Sequence, residues 1–132
     1  MRIRRFMALV FLAVALSSFA SFMWMFFEYQ SSRPSQPHPE LGRVYPSNNH
    51  GSYVYLTGEE ATGLALLLLT FPLSFLLSVT MVPGQDRRGS APFSRREHIT
   101  IWIVMICYET LILFAGPSIA RLVVSHGLVL NL

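Results

Sequence analysis

Three long apolar runs constrain the fold of this chain more than any other feature of its sequence. They cover Phe6–Phe27, Ala61–Val82 and Ile99–Ile119. A helix of about 20 residues rises about 1.5 Å per residue and crosses a hydrocarbon core about 30 Å thick. None of the runs has the polar stripe of a helix in a soluble bundle. The sequence therefore predicts an all-α membrane protein with three transmembrane helices.

The composition favours the same class. Hydrophobic residues make up 52% of the 132 residues and charged residues 13%, whereas a soluble domain has about 25% charged residues. A soluble core that hides so much apolar surface is not expected at this length. The basic residues are all arginine and cluster at the ends of the runs, so the net charge of +3 does not indicate a nucleic-acid surface. We expect the lipid bilayer and other membrane subunits as partners, and no nucleic acid.

The distribution of arginine predicts the topology. Arginine is more frequent before the first run and between the second and third runs than in the long first loop. An excess of Lys and Arg marks the cytoplasmic side. The N-terminus is therefore predicted to be cytoplasmic, and the first loop and the C-terminus extracytoplasmic, in the inner (plasma) membrane of a bacterium. The arginines of the two sides are Arg2, Arg4, Arg5, Arg87, Arg88, Arg95 and Arg96 inside, and Arg33 and Arg43 in the first loop.

We predict a single membrane domain over residues 1–132. Its segments are a first span at about 6–27, an external loop at 28–57, a second span at about 58–82, a cytoplasmic loop at 83–94, a third span at about 95–120 and an external tail at 121–132. The start resembles a secretory signal, but its apolar run continues beyond the candidate cleavage site at Ala20, so we expect it to be retained. Thr57 with Glu60 and Ser94 with Glu97 form capping boxes, which independently predict where the second and third helices begin.

The long loop is predicted to hold a spacer and a small β-hairpin. Residues 30–42 contain three prolines in a mostly polar stretch, which is typical of an extended, polyproline-like segment. Residues 43–45 and 52–56 are rich in β-branched and aromatic side chains and flank a turn that contains Gly51, a pattern that predicts a hairpin. We expect its side chains to contact partner proteins; the candidates are Tyr45, Asn48, Asn49, His50, Tyr53 and Tyr55.

Glu109 lies near the middle of the third run, where an ionised carboxylate is costly unless it faces protein or water. Small residues recur every four positions on the first two helices, a spacing that places them on one face and allows close helix packing. Counted by depth, four hydroxyls lie level with Glu109, and we expect some of them to hydrogen-bond a protonated carboxyl group. They are Ser17, Ser18, Thr70 and Ser74.

Three interpretations of Glu109 remain open at the level of the sequence. It is a structural hydrogen-bonded group, a contact for a polar or basic group on another membrane protein, or a proton or ion relay. Relays generally use chains of ionisable groups, and this chain has one such group at that depth.

No motif in the sequence predicts an enzyme or a cofactor. His38, His50 and His126 are weak candidates for an extracytoplasmic metal site, because their spacing matches no compact ligand motif. Three helices enclose little volume for a substrate path. We therefore expect a non-catalytic accessory or scaffolding subunit, or an assembly factor, of a larger inner-membrane complex. The alternatives are a component of an oligomeric proton, ion or small-molecule transporter that uses Glu109, and a metal-binding module that uses the three histidines.

Overall fold

The computed structural model describes residues 3–81 and 94–129. It contains three helices, α1 (Ile3–Ser32), α2 (Gly58–Met81) and α3 (Arg95–Ser125), and an antiparallel hairpin of β1 (Tyr45–Asn49) and β2 (Ser52–Leu56). Each helix is long and apolar enough to cross a membrane. The three predicted helices and the predicted hairpin are thus confirmed. The predicted loop at 83–94, apart from Ser94, and the last three residues of the predicted tail lie outside the described residues.

Both capping boxes are confirmed. The backbone N–H of Glu60 donates to Thr57 Oγ1 (3.2 Å), and the backbone N–H of Thr57 donates to Glu60 Oε2 (3.0 Å). The same exchange joins Ser94 and Glu97 at the start of α3. Since each box satisfies backbone donors that a helix start leaves unpaired, short-range side-chain chemistry sets these two helix starts.

Two helices extend beyond their apolar runs. α1 continues past Phe27 to Ser32, and the hydroxyls of Ser31 and Ser32 donate to the carbonyl oxygen of Glu28 in its last turn. α3 continues through Pro117 to Ser125. The proline-rich stretch is therefore shorter than the predicted spacer. It is also not uniformly extended, because it contains a 3-10 turn at Pro39–Leu41 that ends at Gly42 with φ of 66°.

The three helices run up, down and up through one bundle. Arg5 on α1 pairs with Glu97 on α3, so these two helices begin at the same end. Phe71 on α2 contacts Phe19 on α1, with ring centroids 5.1 Å apart, and Ser78, later in α2, bonds Ala8, earlier in α1. α2 therefore runs in the opposite direction to α1. We call the end that carries β1 and β2 the hairpin end, and the end with Arg5 and Glu97 the opposite end.

Small side chains line the contact between α1 and α2. Ala13 and Ser17 on α1 are fully buried, and Ser78 on α2 is buried while its hydroxyl donates to the backbone carbonyl of Ala8 at 2.8 Å. A side-chain bond to the neighbouring backbone requires a close approach of the two helices, which small residues permit. Ser78, a member of the four-residue stripe of α2, thus lies at the contact between α1 and α2.

α3 is attached differently. Along its most apolar stretch no residue is buried, and the buried residues of the whole helix are Glu97 and Ala120. Lipid tails are as apolar as leucine, so exposing such a surface inside a bilayer costs little. The apolar side chains of α3 that face the bundle are only partly buried, among them Ile101, Val104 and Ile112. Polar contacts therefore add to a shallow apolar contact.

The hairpin rests on the ends of α1 and α2 and is not free in solvent. Val54 and Leu56 from β2 are buried against Ala61 and Leu64 of α2. Tyr45 and four partly buried side chains of α1 surround this cluster: Phe22, Met25, Phe26 and Tyr29. A two-stranded hairpin is marginal alone in water, and this apolar contact with the helices stabilises it.

We predict that Leu56→Ala destabilises the hairpin by about 2–5 kcal/mol, because it removes a buried side chain and leaves a cavity. Leu41→Ala is the matched control, since Leu41 is 63% exposed. Hydrogen exchange of the β1 and β2 amides in detergent micelles measures the effect. Equal exchange rates in the two variants would show that the hairpin does not depend on this cluster.

Candidate intramembrane site

Glu109 is partly buried and is held by α1. The hydroxyl of Ser21 donates to Glu109 Oε2 at 2.6 Å. Among the described residues, nothing donates a hydrogen bond to Oε1, and Glu109 takes part in none of the ion pairs. One carboxyl oxygen is thus hydrogen-bonded by α1, and the other receives no hydrogen bond from the residues that the structure describes.

A second hydroxyl contact lies beside the first. Ser18 Oγ and the hydroxyl of Tyr108 are 2.8 Å apart. Consecutive residues of α3 are therefore each bonded by a serine of α1, and the two serines lie three positions apart. Such pairs share a helix face, so α1 presents two neighbouring serine hydroxyls to α3 in the middle of the bundle.

The four hydroxyls predicted to lie level with Glu109 take different positions. Ser17 is fully buried, and its hydroxyl has no hydrogen-bond partner among the described residues. Ser18 bonds Tyr108 instead of Glu109. Thr70 donates to the carbonyl oxygen of Leu66 in its own helix at 2.7 Å, and Ser74 is buried in α2. None of the four contacts Glu109 among the hydrogen bonds of the described residues.

Ser21 is the contact that the depth count missed. It belongs to the same four-residue stripe as Ala13 and Ser17, so the sequence indicated the correct face of α1. The height was wrong by one helical turn, about 5 Å, because α3 lies closer to the hairpin end than an alignment of the midpoints of the apolar runs implies. The stripe indicates which face of α1 meets the other helices. It does not indicate how far α3 is shifted along α1.

A cluster of ion pairs organises the hairpin end. Glu60 accepts from Arg43 at 2.8 and 3.3 Å and from Arg33 at 2.9 Å, while it also caps α2 through Thr57. The guanidinium of Arg33 lies over the ring of Tyr29, 4.9 Å from its centroid. Glu60 therefore ties the end of α1, the long loop and the start of α2 together.

Further ion pairs join α3 to both of the other helices. Arg121 Nε lies 3.4 Å from Glu59 Oε1 on α2 at the hairpin end, and Glu97 accepts from Arg5 Nη2 at 3.2 Å at the opposite end. The Arg121 side chain is 70% exposed, whereas that of Glu97 is 6% exposed. Exposed pairs contribute little because water screens them, so the pair between Arg121 and Glu59 is a weak attachment.

The hairpin divides the predicted contact residues between its two faces. Tyr45 faces the bundle and packs against the core, because alternate residues of a strand point to opposite sides. Asn48 and Tyr53 are exposed and pair across the strands, with Asn48 Nδ2 3.4 Å from the Tyr53 hydroxyl. Asn49 and Tyr55 are partly buried, and His50 is exposed in the turn with φ of 50°. The surface open to a partner therefore contains Asn48, His50 and Tyr53, and not Tyr45.

The structure does not bring the predicted metal ligands together. Within residues 3–81 and 94–129, no group of three His, Cys, Asp or Glu side chains is placed to hold a metal ion. His38 Nδ1 lies 2.8 Å from Glu40 Oε1, while His126 Nδ1 lies 2.8 Å from the carbonyl oxygen of Leu122 at the end of α3. These local contacts account for two of the three histidines.

Comparison of the chain with protein-family models, curated proteins and solved structures gave no match.

We predict a coupling energy of about 0.6 kcal/mol, and at most about 1.7 kcal/mol, between Ser21→Ala and Glu109→Leu, the range for interhelical hydrogen bonds in membranes. A double-mutant cycle on the free energy of unfolding in mixed micelles measures it. Thr110→Val replaces Glu109→Leu in the control cycle, because Thr110 donates to Ile106 within its own helix. Additive effects in both cycles would contradict the Ser21–Glu109 contact.

Proposed function

We propose that the protein is a non-catalytic accessory or scaffolding subunit that binds another membrane protein through α3, with Glu109 as the polar contact. The observation that carries this proposal is the second carboxyl oxygen, Oε1, which receives no hydrogen bond from the described residues. A polar atom in hydrocarbon is costly when it has no partner. A donor on a neighbouring transmembrane helix would satisfy it.

The surface of α3 supports a helical partner. The side chains around Glu109 that face away from the bundle are apolar or self-satisfied: Ile106 is 63% and Leu113 73% exposed, and the Thr110 hydroxyl is bonded within α3. A partner helix could pack on this face without leaving polar groups unpaired. Recognition would then depend on one hydrogen bond or ion pair at Glu109, and packing would supply the remaining contact.

The exposed hairpin residues supply a second contact outside the bilayer. Asn48, His50 and Tyr53 lie on a rigid support, because the hairpin is packed on the helix ends and Glu60 fixes the loop that precedes it. A rigid aromatic and amide surface loses little conformational entropy on binding. The hairpin and Glu109 would thus engage the same partner complex at two heights.

We further propose that the hairpin end is extracytoplasmic in a bacterial inner membrane. At the opposite end the described helices carry Arg4, Arg5, Arg95 and Arg96 against the single acid Glu97. At the hairpin end the three arginines all pair with Glu59 or Glu60. Excess arginine next to the spans favours the cytoplasmic side for the opposite end.

Cross-linking in native membranes tests the partner. Leu113 is 73% exposed and lies four residues from Glu109, on the same face of α3. A hydrophobic benzophenone probe on Leu113→Cys, in a Cys107→Ser background, therefore samples the proposed partner face. We expect an adduct with a different membrane protein. Its yield should fall about tenfold in Glu109→Leu, the equivalent of about 1.4 kcal/mol, a value within the range of interhelical hydrogen bonds.

Thr110→Val is the control and should leave the yield unchanged, because the Thr110 hydroxyl is already bonded within its helix. Adducts confined to a second copy of this chain would favour an oligomeric transporter instead. Adducts with lipid alone would overturn the proposal of a protein partner at this face.

A second prediction concerns orientation. In a Cys107→Ser background, Tyr53→Cys should react with a membrane-impermeant maleimide in intact cells, because Tyr53 is 49% exposed at the hairpin end. Arg96→Cys, at the opposite end, should react only after the cells are permeabilised. The reverse labelling pattern would invert the proposed topology.

A further inference from the structure

A groove of about 300 Å³ lies between the hairpin and the two helices beneath it. Its volume is at the lower end of the range for small-molecule sites, about 300–1,000 Å³. We propose that this groove binds one acyl chain of a bilayer phospholipid. α1, α2 and the hairpin all contribute to its lining, with Phe22, Phe26, Ala61, Leu64, Leu68, Leu56, Ser47 and Asn48.

The apolar part of the groove is elongated along the helices. Ala61, Leu64 and Leu68 have the spacing of one face of α2, and the helix rises about 10 Å from the first to the last of them. Phe22 and Phe26 supply α1's part of the lining, with stacked rings 5.8 Å apart. This part therefore runs from the hairpin toward the middle of the bundle, the direction in which the acyl chain of a lipid would extend.

The polar part of the groove comes from β1. Gln30 Nε2 donates to Ser47 Oγ at 3.4 Å, and Asn48 completes this part of the lining. These are uncharged hydrogen-bonding groups at the hairpin end, above the apolar wall. A phospholipid has the same order, with ester and headgroup oxygens above a hydrocarbon chain.

The surroundings favour a bilayer lipid over other occupants. Next to Leu68, α2 exposes Leu69 (58%) and Leu73 (62%), and a helix long enough to span a membrane presents such residues to acyl chains. A lipid would reach the groove along this surface without crossing water. None of the lining residues is charged, and Arg33 and Arg43 are already bound by Glu60. The groove should therefore not select the charge of the headgroup.

Photolabelling tests the site in the full-length wild-type protein. The protein is reconstituted into vesicles of phosphatidylcholine that carries a diazirine on its acyl chain, and the labelled residues are mapped by mass spectrometry. The vesicles are dissolved in mild detergent without labelled lipid before photolysis, so that only retained lipid labels the protein. We expect at least a threefold excess of label in Phe22, Phe26 and Leu68 over Leu73, which is 62% exposed. Equal labelling of both sets would overturn the proposal.

A pair of variants supplies the matched control. Leu68→Trp fills the groove and should remove most of the excess label and the lipid that stays bound in native mass spectrometry. Leu69→Trp, on the exposed neighbour, should retain both. Retention of the bound lipid by Leu68→Trp would overturn the proposal, as would its loss from both variants. The wild-type labelling map remains decisive if Leu68→Trp does not fold.

The choice of lipid separates the remaining explanations. Vesicles of phosphatidylglycerol should give the same labelling pattern as phosphatidylcholine, because the groove is uncharged. A strong preference for the anionic lipid would assign the binding to the arginines and overturn the proposed site. A change in the number of subunits in Leu68→Trp, with bound lipid unchanged, would assign the groove to a second copy and also overturn it.

Discussion

Polar groups in the middle of a bilayer have no water to bind, and this constraint decides how the three helices are joined. α1 provides the hydroxyls that satisfy it: Ser18 contacts Tyr108, and Ser21 contacts Glu109. The hydroxyl of Ser78 on α2 donates to the backbone carbonyl of Ala8 on α1. Because each of these bonds crosses from one helix to another, the need to satisfy polar atoms and the need to assemble the bundle are met by the same contacts.

The ends of the bundle follow a different rule, since water and charge are available there. Glu60 and Glu97 each combine a capping box with an arginine from another element. A capping carboxylate is fixed by its own helix start, so it loses little further side-chain entropy when a cation binds it. The local sequence thus positions the carboxylate, and the packing of the elements brings the arginine next to it.

Local features of the sequence were sufficient for the helices, their starts and the hairpin. Apolar length predicts the spans, and the boxes at Thr57 and Ser94 predict two helix starts, because these signals act within a few residues. Features that depend on how the elements pack against each other could not be predicted from the sequence. The partner of Glu109 is Ser21 and not a serine one turn away, because the height of α3 depends on contacts at both of its ends. The inward position of Tyr45 likewise depends on the strand register, which a pattern of aromatic residues does not specify.

The way in which α3 is attached has a mechanical consequence. Its bonds to α1 occur at two heights, at Glu97 near one end and at the adjacent Tyr108 and Glu109 in the middle, so sliding α3 by one turn would break all of them at once. The apolar side chains that face the bundle, among them Ile101, Val104 and Ile112, are by contrast only partly buried. The polar contacts therefore fix the position of α3 along the bundle axis, while the shallow apolar contact tolerates small rotations of the helix.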